Sequence, residues 1–485
     1  MTKITIDPIT RLEGHGKIEI FLNDAGEVTN TYFQVPELRG FEKFTEGRLA
    51  EDMPQITQRI CGVCPEAHHL ASTKALDALF HVEPPSPAKK LRELLYSSFY
   101  VTDHTTHFYI LAGPDFIMGP DAPVAERNIL GVIGKVGLEL GGAVIKTRMR
   151  NHHIIQMLGG RGVHPVFGLP GGISRGLNET EREEVEDIAE ENLEFAKLSL
   201  KVFHDIVLKN KAYVDMILSD AYTHKTYYMG MVDANNKVNF YDGLIRIVDP
   251  EGKEFAKFKP ADYLKHIGEH VEPWTYAKFP FLKNVGWKGF IDGKDSGVLR
   301  VAPLARLNVA DGMATPLAQE HYEEYFTTLG GKPVHHTLAM HWARLVELMY
   351  AAERLLELSR DPEITSPHIR TIPTAKPDEG IGIIEAPRGT LIHHYITDEI
   401  GIIKKTNLIV ATLHNSAAVN MSIDKAARAN IQPGKEITEG TLNRIEMAWR
   451  PYDLCLACAT HALPGHPMVP IYLYDQKKNV IKIYD

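Results

Sequence analysis

Four cysteines are the residues most able to do chemistry in this chain, and they form two Cys-x-x-Cys units, Cys61–Cys64 and Cys455–Cys458, nearly its whole length apart. Each unit can turn two thiolates toward one ion, so together they offer four soft donors. Such a set suits zinc, an iron–sulfur cluster, or another thiophilic centre such as nickel. A zinc clip is the commonest use of paired units, but it usually staples a small module whose ligands lie tens of residues apart. A chain of 485 residues needs no staple. The thiols also have polar neighbours: Arg59 before the first pair, Asp453 before the second, and His461 three positions past the last. A disulfide framework would be sparse in so long a chain, which favours metal ligation. Spacing alone leaves the metal open.

The elements that must bring the two pairs together read as mainly helical. Lys3–Ile6, Lys17–Leu22 and Val28–Phe33 look like strands, the last two joined by the turn Asn23–Gly26. Leu91, Leu94, Leu95, Ser98 and Phe99 share one face of a helix expected to continue to Leu111. Thr180-Glu-Arg-Glu183 reads as a capping box, opening a helix with Val185, Ile188, Ala189, Leu193, Ala196 and Leu200 inward. Trp342, Leu345, Val346, Met349, Ala352 and Leu356 repeat that stripe, and both stripes are read as core packing. Residues 227–326 break into short apolar pieces; Val238–Val248 reads as a hairpin and the rest as a peripheral insertion. Val469–Tyr474 and Val480–Tyr484, around Gln476–Asn479, alternate like a hairpin. The expected fold is α+β, a central bundle of long helices with small peripheral β regions. Its expected divisions are 1–55 (β-rich), 56–226 (helical core, first cysteine pair), 227–326 (insertion), 327–461 (helical core, second pair) and 462–485 (tail).

Composition narrows the function classes. With 44% apolar and 24% charged residues and a formal charge of -9, the chain is ordinary globular protein with no basic surplus for nucleic acid or an anionic membrane. No apolar run reaches the ~18 residues of a membrane span. Met1–Asp7 lacks a basic-then-apolar leader, so a cytoplasmic location is expected. No Gly-x-Gly-x-x-Gly follows a strand, so no dinucleotide site is expected here.

Arg59-Ile-Cys-Gly-Val-Cys64 and Asp453-Leu-Cys-Leu-Ala-Cys-Ala-Thr-His461 resemble the two metal-binding motifs of nickel–iron hydrogenase large subunits. Asp7-Pro-Ile-Thr-Arg-Leu-Glu-Gly-His15, Arg39-Gly-Phe-Glu42, Asp103-His-Thr-Thr-His-Phe-Tyr109, Glu385-Ala-Pro-Arg-Gly389 and Asn407-Leu-Ile-Val-Ala-Thr412 are similar to further blocks of that family, in its order. The resemblance implies that Cys61 and Cys455 bind nickel terminally, while Cys64 and Cys458 bridge nickel to an iron carrying two cyanides and one carbon monoxide. It implies that Pro387, Arg388 and Thr412 hold the cyanides, that Arg388 covers the open metal position with Asp103 and Asp453 as its partners, and that Glu13 carries protons. It further implies a magnesium-type ion on Glu42, the Leu408 carbonyl and His461. His104 and His107 are read as packing or hydrogen-bonding residues. Two departures stand out. Leu454 replaces the family's proline, restoring a backbone N–H and freeing φ, with activity expected to survive. Ala462–Asp485 corresponds to a tail that the family's maturation protease commonly removes after the histidine.

The implied activity is reversible heterolytic cleavage of H2. Implied partners are an iron–sulfur small subunit, diaphorase-type flavin and NAD(P) subunits with ferredoxin as a further acceptor, nickel chaperones and the protease. The tail, His393-His394-Tyr395 and His164–Gly172 resemble the soluble, cofactor-coupled branch, and an NAD(P)-linked or electron-bifurcating enzyme is the favoured reading. The alternatives are a module feeding heterodisulfide reductase in a methanogen, a non-catalytic relative of a respiratory-complex subunit, and a structural zinc protein.

Overall fold

The structure is a computed structural model that describes residues 2–461, 471–474 and 480–484. Its N-terminal sheet is an antiparallel meander of β1 (Thr2–Ile6), β2 (Lys17–Leu22) and β3 (Val28–Gln34). β2 turns Ile18, Ile20 and Leu22 inward and leaves the alternate residues half-buried, the period-2 pattern of a strand with one wet face.

Helices then form the body. α1 (Pro65–Leu79) begins directly after the first cysteine pair, with Cys64 as its N-cap and proline in its first turn, where no N–H is needed. α2 (Ser86–Thr106) runs on into a π-helical turn, His107–Ala112. α3 (Leu138–Gly159) and α4 (Glu179–Phe203) follow. α4 starts earlier than expected: Asn178 is its cap and Glu181 the reciprocal partner, each side chain taking the other's backbone N–H at 3.0 Å.

The segment 227–326 departs from the expected peripheral insertion. Its hairpin joins β4 (Tyr227–Val232) to β5 (Leu244–Val248), not Val238 to Val248, and β6 (Glu254–Phe258) extends it. β4 and the following α5 (Pro303–Val309) are buried along their whole lengths. Gly230 lets them meet, since a Cβ there would stand 3.0–3.1 Å from Val309 and Arg306. A strand covered on both faces shows no alternation, which is why its sequence did not announce it.

α6 (Met340–Ser359) packs on α2 and α4 at the centre of the bundle. An antiparallel sheet of β7 (Glu379–Ala386), β8 (Gly389–Thr397) and β9 (Ile403–Ile409) lies against α1. Gly380 and Gly382 make that contact possible, because a Cβ at either would collide with a carbonyl oxygen of α1, that of Ala75 or Ala71. The close approach ties the first cysteine pair, at one end of α1, to the two-residue turn Pro387-Arg388 between β7 and β8. α7 (Ser416–Asn430) and the single turn α8 (Leu456–Ala459), capped by Cys455, complete the core. β10 (Ile471–Tyr474) and β11 (Val480–Tyr484) pair antiparallel; the turn expected at Gln476–Asn479 lies outside the described residues. Among the described residues no helix is long and apolar enough to cross a membrane.

Candidate metal centre

The two cysteine pairs meet. Their four sulfur atoms lie within 4.8 Å of one another, all buried, and none forms a disulfide. Metal–thiolate bonds of ~2.3 Å reach across a gap of about that size. Among the described residues this is the one group of three or more cysteine, histidine or acidic side chains placed to hold a metal ion. Cys64 lies 2.9 Å from Cys61, Cys455 2.8 Å from Cys458, and Cys61 3.4 Å from Cys455 across the two pairs. The backbone prepares Cys61 as an anion: the N–H groups of Val63 and Cys64 donate to its sulfur at 3.3 and 3.0 Å. Burial opposes that charge, but hydrogen bonds with the other three thiols outweigh it and pull Cys61 well below the usual thiol range. Burial pushes Cys455 and Cys458 well above it. Cys64 is pushed up to about 11, because its bond to Cys61 and its burial prevail over its bonds to Cys455 and Cys458. Without a cation, four thiolates cannot share this space.

The second pair is held by the N-terminal segment. Glu13 N donates to Leu454 O at 3.2 Å, and Leu456 N donates to Glu13 O at 2.9 Å. Through its carbonyl, Leu454, in the proline's place, thus anchors the Glu13 strand. Asp453 takes a left-handed φ of 57° to make the turn. The Glu13 carboxylate stands 3.0 Å from Cys455 Sγ, half-buried, and accepts from Ala457 N. Burial raises its pKa, only partly offset by the thiol's hydrogen bond. Thr412 Oγ1 accepts the Cys455 N–H at 3.2 Å.

Arg388 projects from the β7–β8 turn and bonds Asp103 at 3.0 Å and Asp453 at 3.1 Å. All three are buried. Burial pushes Asp103 up to about 6 against the pull of Arg388; for Asp453 burial is outweighed by Arg388, His107 and Arg344, holding it at about 2. The network continues through residues that carry no motif. Arg344 reaches Asp453 at 3.5 Å and His104 at 3.3 Å; His104 meets Glu347 at 3.0 Å; Arg306 joins Glu347 at 2.5 Å to Glu385 at 2.9 Å. Arg306 also donates to the Pro387 carbonyl at 3.0 Å, bracing the turn that carries Arg388. A lone arginine in the apolar run Val301–Ala310 is the one signal for it, and it falls inside the expected insertion. His107 Nε2 donates to the Arg450 carbonyl at 2.9 Å, a structural contact. Arg59, beside the first pair in sequence, is exposed and takes no part. Glu66, not singled out in the sequence, is buried, and burial pushes it up to about 8 beside Cys61 and Asp103.

Glu42, the Leu408 carbonyl and His461 also come together, but around protein cations. Arg39 donates to Glu42 at 2.7 Å and to Leu408 O at 3.0 Å. His461 Nε2 bonds Glu269 at 2.6 Å, Lys278 donates to the His461 carbonyl, and His461 Nδ1 lies 3.8 Å from Glu42. Glu42 Oε2 and His461 Nδ1 remain buried without a partner among the described residues.

Comparison with known proteins agrees with this geometry. Residues 39–127 and 143–461 match the family described as nickel-dependent hydrogenase, and residues 3–38 match one described as HoxL-like. The chain is 50% identical over 482 residues to an iron-sulfur subunit of the F420-non-reducing hydrogenase of Archaeoglobus profundus, covering 99% of both chains. It is 38% identical to the beta subunit of the NAD-reducing hydrogenase HoxS of Cupriavidus necator, over 99% of this chain and 98% of that one. A crystal structure of an NAD+-reducing [NiFe]-hydrogenase in the H2-reduced state superposes with a TM-score of 0.88 at 35% identity, over 95% of this chain and 100% of that one.

Proposed function

The chain belongs to the nickel-dependent hydrogenases as their large, catalytic component, and from that premise we propose how its residues divide the work of splitting hydrogen. The observation that carries the reading is the buried cluster of four thiols. Cys61, Cys64, Cys455 and Cys458 would hold the nickel–iron pair between them. When bound, the metal pair supplies the electron-rich Lewis-acid centre that polarises hydrogen. Arg388, locked between Asp103 and Asp453, keeps a fixed positive charge at the site where charge separates. Glu13 Oε2 would take a proton from Cys455 Sγ and, being half-buried, pass it outward, with the exposed His15, paired to Glu37, two positions along the chain. Its raised pKa brings it toward the range where acceptance and release are balanced. The Pro387 and Arg388 backbone and the Thr412 hydroxyl would hold the iron's cyanides. Glu42, the Leu408 carbonyl and His461 would hold a magnesium-type ion, a reading supported by the unpartnered Glu42 Oε2 and His461 Nδ1. The tail 462–485 is removed by the maturation protease once nickel, delivered by chaperones, is seated.

Electrons leave through an iron–sulfur small subunit to a cytoplasmic acceptor. The 50% identity to an F420-non-reducing enzyme favours the methanogen-type module feeding heterodisulfide reductase over the NAD(P)-linked enzyme expected from sequence. The NAD(P)-linked, diaphorase-coupled reading, with ferredoxin as co-acceptor, keeps the support of the 0.88 superposition. Purifying the complex and supplying hydrogen with NAD+, NADP+, ferredoxin or a heterodisulfide separates them. Reduction of heterodisulfide or ferredoxin without NAD(P)+ supports the first; NAD(P)H formation by the complex supports the second.

A further inference from the structure

His68 lies one helical turn beyond Cys64 on α1, so its side chain leans back toward the cysteine cluster. Its Nδ1 meets His393 Nε2 at 3.1 Å, His393 Nδ1 meets the Tyr395 hydroxyl at 2.7 Å, and Tyr395 donates to Ser72 Oγ at 2.8 Å. All four residues are fully buried. The spacing is a match of two periodicities: His68 and Ser72 are i, i+4 on one helix face, and His393 and Tyr395 are i, i+2 on one strand face. The outer end of this chain, His68 Nε2, is buried with no partner among the described residues, and the charges that act on the ring are the Cys61 sulfur and, opposing it, Arg39.

Burial keeps both imidazoles neutral, His68 at about 4 and His393 well below its usual value. A neutral imidazole has one N–H and one lone pair, so every hydrogen bond in the chain must point the same way. With Tyr395 donating to Ser72, His393 Nδ1–H donates to Tyr395, His68 Nδ1–H donates to His393, and His68 Nε2 offers the cluster a lone pair. With Tyr395 donating to His393 instead, every bond reverses and His68 Nε2 offers an N–H. The reversal moves each proton by one hydrogen bond and creates no charge. A lone pair suits protonated thiols; an N–H suits thiolates.

We propose that His393 and Tyr395 are positioning residues of the metal centre, which, anchored at Ser72, set the tautomer that His68 presents to the cysteine sulfurs. The inference rests on the four thiols being the metal site. It gives His393 and Tyr395 a task that the proton carrier Glu13 does not cover. Outer partners of this kind commonly change activity by about 10-fold to 100-fold when lost.

Tyr395→Phe in the assembled complex keeps the ring and removes the hydroxyl. The expected result is unchanged nickel and iron, a displacement of the infrared bands of the iron's cyanide and carbonyl ligands, and hydrogen turnover lowered by about 10-fold. His393→Leu should displace the bands the same way, and His393→Gln, whose amide both donates and accepts, should restore them in part. Unchanged bands and turnover in Tyr395→Phe, with metals in place, overturn the proposal. If Tyr395→Phe loses its metals, Ser72→Ala combined with Thr57→Val decides, since the Tyr395 hydroxyl has both as partners: displaced bands support the relay, and unmoved bands refute it. Absence of nickel, iron or the bands from the unsubstituted protein overturns instead the metal assignment beneath it.

Discussion

Two places in this molecule gather donors fit for a cation, and they differ in how their charge is balanced. Beside the four thiols the Arg388 guanidinium is already committed to two carboxylates, Asp103 and Asp453. Its charge is therefore not free to neutralise the sulfurs. At Glu42, Leu408 and His461 the two carboxylates Glu42 and Glu269 meet two protein cations, Arg39 and Lys278. The first site is incomplete without metal; the second is nearly balanced without one. Donor geometry alone would have ranked them closer together, and the count of charges separates them.

The largest effect should come from the first site. Cys458→Ser replaces a soft bridging sulfur by a hydroxyl that stays protonated, and nickel and iron per chain should fall by about 100-fold, with hydrogen uptake lost. Full metal content in that variant would break the contrast. Arg388→Ala leaves Asp103 and Asp453 buried without their shared cation, so denaturant unfolding should show a loss of about 3–5 kcal/mol. Arg388→Lys, which keeps the charge without the fork, should lose less. Glu13→Gln should leave both metals in place while slowing hydrogen–deuterium exchange by about 100-fold; exchange at the unsubstituted rate would take the proton role from Glu13. The smallest effect should be Glu42→Gln, which weakens one bond to Arg39 and costs about 1–2 kcal/mol, with nickel unchanged and magnesium lost to a chelator. Nickel falling there as it does in Cys458→Ser would show that the two sites are one.

The first site is readable in the sequence because thiols are rare and their chemistry narrow: two Cys-x-x-Cys units in a chain with four cysteines have few other uses. The helical stripe of α4 is equally open, since 3.6-residue periodicity survives where one face is wet, whereas α6 is buried almost all round and its stripe is one part of a wholly covered surface. What stays hidden is what depends on partners far along the chain. Arg306 looks like one more charge in a loop-rich stretch, yet it lies at 0% exposure between Glu347 and Glu385 and braces Pro387. Arg39 sits inside a recognisable block, but only the fold shows its guanidinium where a cation ligand set is expected. The hairpin read at Val238–Val248 misses its first strand for a related reason: β4 is covered on both faces, and a covered strand carries no alternation to read.

Metal analysis of the purified protein, combined with X-ray absorption at the nickel edge, tests the account at its root. The prediction is one nickel and one iron per chain, with nickel in a shell of sulfur at ~2.3 Å that disappears in Cys458→Ser. A single zinc on the four sulfurs, or no metal at all in active-complex preparations, would contradict it.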